Sequence, residues 1–247
     1  MERANYLTLM FCLLLCSSNV IASNKSDIYR AYIQNDMDLW QKTIDKMNQQ
    51  EVKSIAFRLE LLNYQYGFIA WCIGNKKSEL AENYLDLGET NLTFLEKTGN
   101  YSSLVNSYKS AFYGFRIGLN RFKAPFIGPK SVDCALAAMK QDSTNPFGYI
   151  QYANSQFYRP PVFGGSKSVA LEYYKKAEVL MYRNKANIDQ DWNYLSLLAM
   201  IAQAHSELED YSNAKAYYNK ILNIEPDFRW VKNELYPDLL EKMNALK

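Results

Sequence analysis

Apolar residues recur at steps of three and four over long stretches of this chain, and this spacing constrains the fold more than any other feature. Between positions 51 and 73 the recurring residues are Val52, Ile55, Leu59, Leu62, Tyr66, Ile69 and Ile73. They lie on one stripe of a helix about six turns long. Gly74 and Asn75 then end that helix. The sequence therefore predicts long amphipathic helices.

The predicted helices fall into successive antiparallel pairs. The four clear pairs are 51–73 with 78–97, 101–120 with 131–141, 146–158 with 166–182, and 189–208 with 211–223. A shorter pair, 27–34 with 36–48, precedes them, and a single helix, 229–246, follows. A hairpin of this kind cannot bury its apolar stripe alone, so we expect the hairpins to stack in series.

The segment from Asp210 to Asp227 resembles the second helix of a tetratricopeptide repeat. That family places a small residue at the helix crossing, then an aromatic residue, an aliphatic residue and a terminating proline. Ala214, Tyr218, Ile221 and Pro226 occupy those positions. The resemblance implies an all-α fold, a right-handed α-solenoid of antiparallel helical hairpins.

A second copy of this pattern surrounds Ala170 and Tyr174, which lie 44 residues before Ala214 and Tyr218. A standard repeat has about 34 residues, so this unit carries about ten more. We expect the extra residues around positions 181–191. In the last unit, Leu198, Ile201 and Ala202 match the first-helix positions of the family.

Two clusters of proline and glycine, at 124–129 and 159–165, are interpreted as turns inside hairpins. The stretch 158–167 is also similar to an inter-helix loop in exported repeat proteins of Bacteroidetes-type bacteria. Within it, Gly164-Gly165-Ser166-Lys167 lacks the spacing of a phosphate-binding loop. We predict a tight turn in which Ser166 caps the next helix.

The first 22 residues have the pattern of a secretory signal peptide, with Arg3 followed by an apolar run from Tyr6 to Leu15. Residues 23–247 are then expected to form a single repeat domain that is periplasmic or secreted. A retained membrane anchor is the alternative, but the apolar run is shorter than the roughly 20 residues that a spanning helix needs.

Charge and cysteine content exclude several classes of protein. The net charge is +2, and no run of like charges suggests binding to nucleic acid or anionic lipid. Only Cys72 and Cys134 follow the predicted signal peptide, which is too few for a disulfide scaffold. They could pair, although each also fits a buried helical position.

The sequence offers little for catalysis. It contains one histidine, His205, which the repeat register places in a hairpin interface. A Ser-His-Asp set or a Cys/His metal site therefore has too few candidate residues. We predict a non-catalytic protein with no cofactor and no metal, and a hydrolase acting through paired carboxylates is the remaining enzymatic alternative.

The concave groove of such a solenoid is lined by the first helices of its hairpins. The candidate groove residues are Tyr113, Arg116 and Asn120, then Tyr149, Tyr152 and Gln156, and finally Gln203 beside Ser196 and Ala199. Aromatic and arginine side chains often anchor interfaces, but tyrosines can equally pack between hairpins. We predict a scaffold that binds a protein or peptide there. The alternative is a helical-repeat protein of envelope transport that binds a small molecule or glycan.

Overall fold

The computed structural model describes residues 24–183 and 188–245. Within these ranges every regular element is a helix, and no strand occurs. The predicted signal peptide lies outside the described residues. In the part of the chain that is described, no helix is both long enough and apolar enough to cross a membrane.

The helices follow the predicted order closely. They are α1 (24–34), α2 (Met37–Asn48), α3 (Ile55–Gly74), α4 (Ser78–Lys97), α5 (Ser102–Leu119), α6 (Ala124–Gln141), α7 (Pro146–Tyr158), α8 (Lys167–Tyr182), α9 (Trp192–Glu207), α10 (Tyr211–Ile224) and α11 (Tyr236–Asn244). Short 3₁₀ turns, Arg121–Lys123 and Pro161–Phe163, lie within two of the connections. A π-helical segment, Val231–Leu235, leads into α11.

Successive helices pack as antiparallel pairs. Helix α3 packs on α4, α5 on α6, α7 on α8, and α9 on α10. In the second pair, Ser103 near the start of α5 donates to the carbonyl of Ala138 near the end of α6 at 2.8 Å. Ser110 and Ser131 meet halfway along the same helices. The predicted hairpins are therefore present.

One predicted turn is wrong. The cluster at 124–129 forms the first turns of α6, which begins at Ala124, and the connection before it is only a short 3₁₀ turn. Pro125 fits there because the first backbone N–H groups of a helix have no partner within it. Pro129 lies inside the helix as well. The helix therefore starts seven residues before the predicted Ser131.

The positions matched to the repeat pattern are packing positions. Ala214 and Ile221 are fully buried and Tyr218 is almost so, and the earlier copy buries Ala170 and Tyr174 completely. A buried alanine lets two helix backbones approach closely. The glutamate after Ile224 caps α10, and Pro226 follows it.

The first helices of the chain also contact the last ones. The indole of Trp40 on α2 meets that of Trp192 on α9 at 5.1 Å between ring centroids. Tyr32 on α1 contacts both Trp192 and Phe228. Gly67 on α3 lies beneath the two indoles, where a Cβ atom would be 2.6 Å from Trp192 and 2.7 Å from Trp40. The two ends of the helical array are thus joined.

Candidate ligand-binding cleft

An open cleft of about 800 Å³ lies between the outer face of α10 on one side and the end of α8 with residues 188–189 on the other. This size falls within the range of roughly 300–1,000 Å³ that is usual for small-molecule sites. The cleft is lined by Tyr182, Ile188, Asp189, Tyr194, Ala216, Asn219, Lys220, Asn223 and Ile224.

The walls of the cleft are mainly apolar. Tyr182 at the end of α8 and Ile224 at the end of α10 are each close to half exposed. Ile188 adds a second aliphatic side chain, and Tyr194 forms a buried wall from the first turn of α9. Removing half-exposed apolar side chains from water is favourable, so a ligand that covers this concavity is stabilised there.

Lys220 supplies a cation to the cleft. Its Nζ donates to Glu178 Oε1 at 2.5 Å, and the Tyr217 hydroxyl donates to the other oxygen of Glu178 at 2.8 Å. Burial lowers the pKa of Lys220, but the hydrogen bond and charge of Glu178 outweigh burial, so the pKa is raised. Lys220 therefore stays protonated. The amide side chains of Asn219 and Asn223 lie beside it on α10.

The first helix of the chain holds this region in place. Lys25 Nζ donates to the backbone carbonyl of Asp189 at 2.9 Å, and the Tyr29 hydroxyl donates to Glu225 at 2.9 Å. Burial and the Glu225 carboxylate raise the pKa of Tyr29, so this hydroxyl keeps its proton. Both bonds join residues more than 160 positions apart.

The groove residues predicted on α5 have varied surroundings. Arg116 donates to the carboxylate of Glu89 at 3.0 and 2.7 Å and also binds Asp86, both on α4. Its guanidinium therefore links two helices. Asn120 accepts the backbone N–H of Phe122 at 3.1 Å and caps the following turn. Tyr113 is partly exposed.

The residues predicted on α7 and α9 lie mostly against neighbouring helices. Tyr149 and Tyr152 pack on the ring of Tyr173 in α8, with centroids 6.2 and 4.5 Å apart. Gln156 is buried. The Gln203 amide donates to the Ala199 carbonyl of its own helix at 3.4 Å. The structure does not gather the seven predicted residues into one pocket.

Other aromatic residues lie where α3, α5, α7 and α9, the first helices of the four hairpins, face one another. Tyr66 lies at their centre and contacts the rings of Tyr108, Phe147 and Trp192. Its hydroxyl accepts the amide of Gln151 at 3.1 Å. The inner faces of α3, α5, α7 and α9 meet one another here.

His205 packs as predicted. It is buried, its Nδ1 lies 2.9 Å from Asp210 Oδ2, and its ring stacks on Tyr217. Burial lowers the pKa of His205, against the opposing effect of Asp210. Cys72 and Cys134 are both free. Among the described residues, no group of three or more His, Cys, Asp or Glu side chains is placed to hold a metal.

The sequence contained one signal for the cleft. The residues beyond the standard repeat length were expected around 181–191, and Tyr182, Ile188 and Asp189 belong to that stretch. The side chains on α10 carried no such signal, because their exposed face looks like an ordinary solvated face.

No protein-family model and no curated protein matches this chain. Among solved structures, the chain is similar to the HusA haemophore from Porphyromonas gingivalis, with a TM-score of 0.61 and 18% sequence identity. The match covers 77% of this chain and 93% of that chain. The two proteins share a fold. The predicted likeness to helical proteins of Bacteroidetes-type bacteria is consistent with this match.

Proposed function

We propose that this protein is an exported, non-catalytic binding protein that takes a flat, largely apolar ligand of porphyrin size in the cleft between α10 and the end of α8. The observation that carries the proposal is the cleft itself, about 800 Å³ with mainly apolar walls and one protonated lysine. This corresponds to the predicted alternative of small-molecule binding.

The chemistry of the cleft suits such a ligand. Tyr182, Ile188 and Ile224 offer apolar surface to a ring system. Lys220 and the amides of Asn219 and Asn223 can donate hydrogen bonds to carboxylates at the edge of that ring. Glu178 and the Tyr194 hydroxyl each take one N–H of Lys220, which leaves the third for a ligand.

The structural neighbour guides the choice of the first ligand to test. That protein is named a haemophore, and this chain shares its fold over most of its length. Haem is a flat apolar macrocycle with two carboxylates, so it matches the chemistry of the cleft. We therefore propose haem or a related porphyrin as the ligand.

The repeat architecture and export belong to the same proposal. Buried Ala170, Tyr174, Ala214 and Tyr218 support stacking of the hairpins as a tetratricopeptide-like right-handed superhelix. The pattern of residues 1–22 supports export to the periplasm or beyond the cell. A binding protein of this kind needs neither a cofactor nor a catalytic group.

The predicted protein or peptide scaffold is the second candidate. It is favoured by Tyr113, which is partly exposed on α5. Binding of a peptide along the whole predicted groove is less favoured, because α3, α7 and α9 pack against one another around Tyr66. A Tyr113→Ala change that removes peptide capture and leaves porphyrin binding intact would support this second role.

The proposed function is tested by titrating the purified protein with haemin and with iron-free protoporphyrin, following porphyrin absorbance and tryptophan fluorescence. We expect both ligands to bind, because the walls contact the ring. Ile224→Asp and Ile188→Asp should each weaken binding about tenfold or more, the effect of losing a buried aliphatic contact. Lys220→Gln should weaken it less.

Two matched controls separate the cleft from general surface effects. Val179→Asp changes an exposed aliphatic residue on α8 outside the cleft. Lys176→Gln removes a lysine that pairs with Glu172 as Lys220 pairs with Glu178. Both should bind porphyrin like the parent protein. Equal losses in the controls and the cleft variants, or no binding at all, would contradict the proposal.

A further inference from the structure

We propose that one end of the helical array docks on an anionic lipid surface through the connections that follow α5 and α7. This inference does not depend on the proposed ligand, because no residue that it uses lines the cleft. It rests on exposed apolar side chains, on the distribution of charge and on the rigidity of one loop.

The two connections lie at the same end of the molecule. Helices α5 and α7 contact each other directly, and each is the first helix of an antiparallel hairpin. They therefore run in the same direction, and the turns after Leu119 and Tyr158 emerge side by side. The docking edge consists of Phe122, Val162 and Phe163 in these turns, Tyr158 at the end of α7, and Phe126 in the first turn of α6.

The docking edge is unusually exposed for apolar residues. Phe122 is 90% exposed, Val162 is 82% exposed, and Phe126 and Phe163 each expose more than 70% of their surface. Tyr158 is 69% exposed by area, although its hydroxyl donates to the sulfur of Met200 on α9 at 3.7 Å. Single exposed apolar residues are common, but five at two neighbouring connections make a patch. They lie in the turns or at the adjoining helix ends, which suits insertion into the interface of a bilayer.

The loop that carries Val162 and Phe163 is tightly folded. The backbone N–H of Ser166 donates to the Gln156 carbonyl at 3.0 Å, and that of Gly165 donates to the Pro160 carbonyl at 3.2 Å. A Cβ atom on Gly165 would lie 1.8 Å from the Arg159 carbonyl oxygen, so only glycine fits. Because the loop is already ordered, its insertion loses little conformational entropy.

The segments that form the docking edge carry only positive formal charge, and at their border Lys167 lies 3.9 Å from the Glu207 carboxylate of the next turn. Residues 119–132 and 143–171 contain no Asp or Glu. Arg121, Lys123 and Lys130 are exposed beside the aromatic residues. Exposed cations flanking apolar side chains are complementary to anionic headgroups and not to neutral ones. The two stretches are separate in sequence, so no run of basic residues predicts this patch, and only the fold brings them together.

Negatively charged residues on a neighbouring turn mark the boundary of the docking edge. The next turn at the same end, between α9 and α10, carries Glu207, Glu209 and Asp210. An anionic surface repels these carboxylates. Contact is therefore expected at the turns after α5 and α7 and not at the turn after α9. A second copy of the chain would meet the same concentration of positive charge, which disfavours self-association through this edge.

The test is sedimentation of the purified protein with vesicles of phosphatidylcholine alone or mixed with phosphatidylglycerol. We expect binding to the mixed vesicles only, weakened by salt. Val162→Ser with Phe163→Ser should reduce binding at least tenfold. Arg121→Gln with Lys123→Gln should reduce it roughly fivefold for each removed cation. Val52→Ser with Leu87→Ser, exposed apolar residues outside the docking edge, is the matched control and should bind normally.

Several results would overturn the proposal. They are no binding to mixed vesicles, equal binding to neutral vesicles, or binding that survives both edge variants. Self-association that Val162→Ser with Phe163→Ser abolishes, without any vesicle binding, would assign the edge to a second copy instead. The charge variants change only exposed side chains, so the test stands even if the apolar variants fold poorly. Porphyrin binding should be unchanged in every variant, which separates this inference from the proposed function.

Discussion

Asn63 and Asn193, which lie 130 residues apart in the sequence, hydrogen bond to each other reciprocally at 3.2 Å. Asn63 also accepts the indole N–H of Trp192 at 3.0 Å and donates to the Tyr108 hydroxyl at 3.1 Å. One amide side chain thus joins α3, α5 and α9. Stacking of neighbouring hairpins alone would not need such bonds, so the array has an additional, long-range link.

Removing that amide should destabilise the whole fold. Asn63→Ala leaves the Trp192 indole N–H without its partner in a partly buried position, while the Asn193 amide keeps only its bond to Asp191. We expect a loss of about 1–3 kcal/mol in the free energy of unfolding, measured by urea denaturation. Asn75→Ala is the control, because that exposed amide bonds only within its own helix. Equal, small losses in both variants would mean that the link is dispensable.

Two glycines within helices should respond oppositely to alanine. Gly67→Ala places a Cβ atom within 2.7 Å of two indoles, whereas a Cβ atom on Gly114 meets nothing within 4 Å. Alanine favours a helix by about 1 kcal/mol over glycine, so Gly114→Ala should stabilise the protein. Gly67→Ala should destabilise it by about 1–3 kcal/mol through overpacking. Thermal unfolding measures both, and stabilisation by both would show that the indoles are not tightly packed.

Stability should depend on pH through His205. Burial lowers its pKa in the folded state below the ordinary value of 6.5. The unfolded chain therefore binds more protons as the pH falls through about 6.5, and the folded state loses stability there. His205→Phe should remove this part of the dependence, and the difference between the two proteins isolates it from nearby carboxylates. Identical pH profiles between about pH 7 and 5 would contradict this.

At alkaline pH the buried tyrosines should drive unfolding. Burial is the main cause that raises the pKa values of Tyr64, Tyr108 and Tyr218 above the ordinary value of 10. The unfolded chain releases these protons first, so stability falls as the pH rises above 10. We expect tyrosinate absorbance to rise in two phases, the second coinciding with loss of helical circular dichroism. A single phase without unfolding would argue against buried hydroxyls.

The sequence predicted the helices well because the apolar spacing along each one is local information. The pairs and their order were correct, and Ala214, Tyr218 and Ile221 are buried as the repeat pattern requires. The prediction of a turn at 124–129 was wrong because Pro125, although a helix breaker in the middle of a helix, is compatible with its first turn, and the helix continues through Pro129. Local composition cannot distinguish these two cases.

The candidate cleft and the surroundings of the predicted groove residues were less predictable because they depend on which helices meet. Arg116 has the spacing of a groove residue, yet Glu89 and Asp86 on α4 take its guanidinium. Closure of the array through Trp40 and Trp192 brings the two ends together, and no local pattern encodes that contact. The cleft is bordered by Ile188 and Asp189, which lie in the stretch that the sequence predicted to exceed the standard repeat length.

The most direct test of porphyrin binding is the location of a bound haemin by NMR. The ferric centre broadens the signals of methyl groups near it, and a gallium protoporphyrin serves as the diamagnetic reference. We expect selective broadening of the Ile188 and Ile224 methyl signals, with Ile44 in the core between α2 and its neighbours unaffected. Broadening centred on Val162 or on residues of the inner face, with Ile188 and Ile224 unchanged, would contradict the assignment of the cleft.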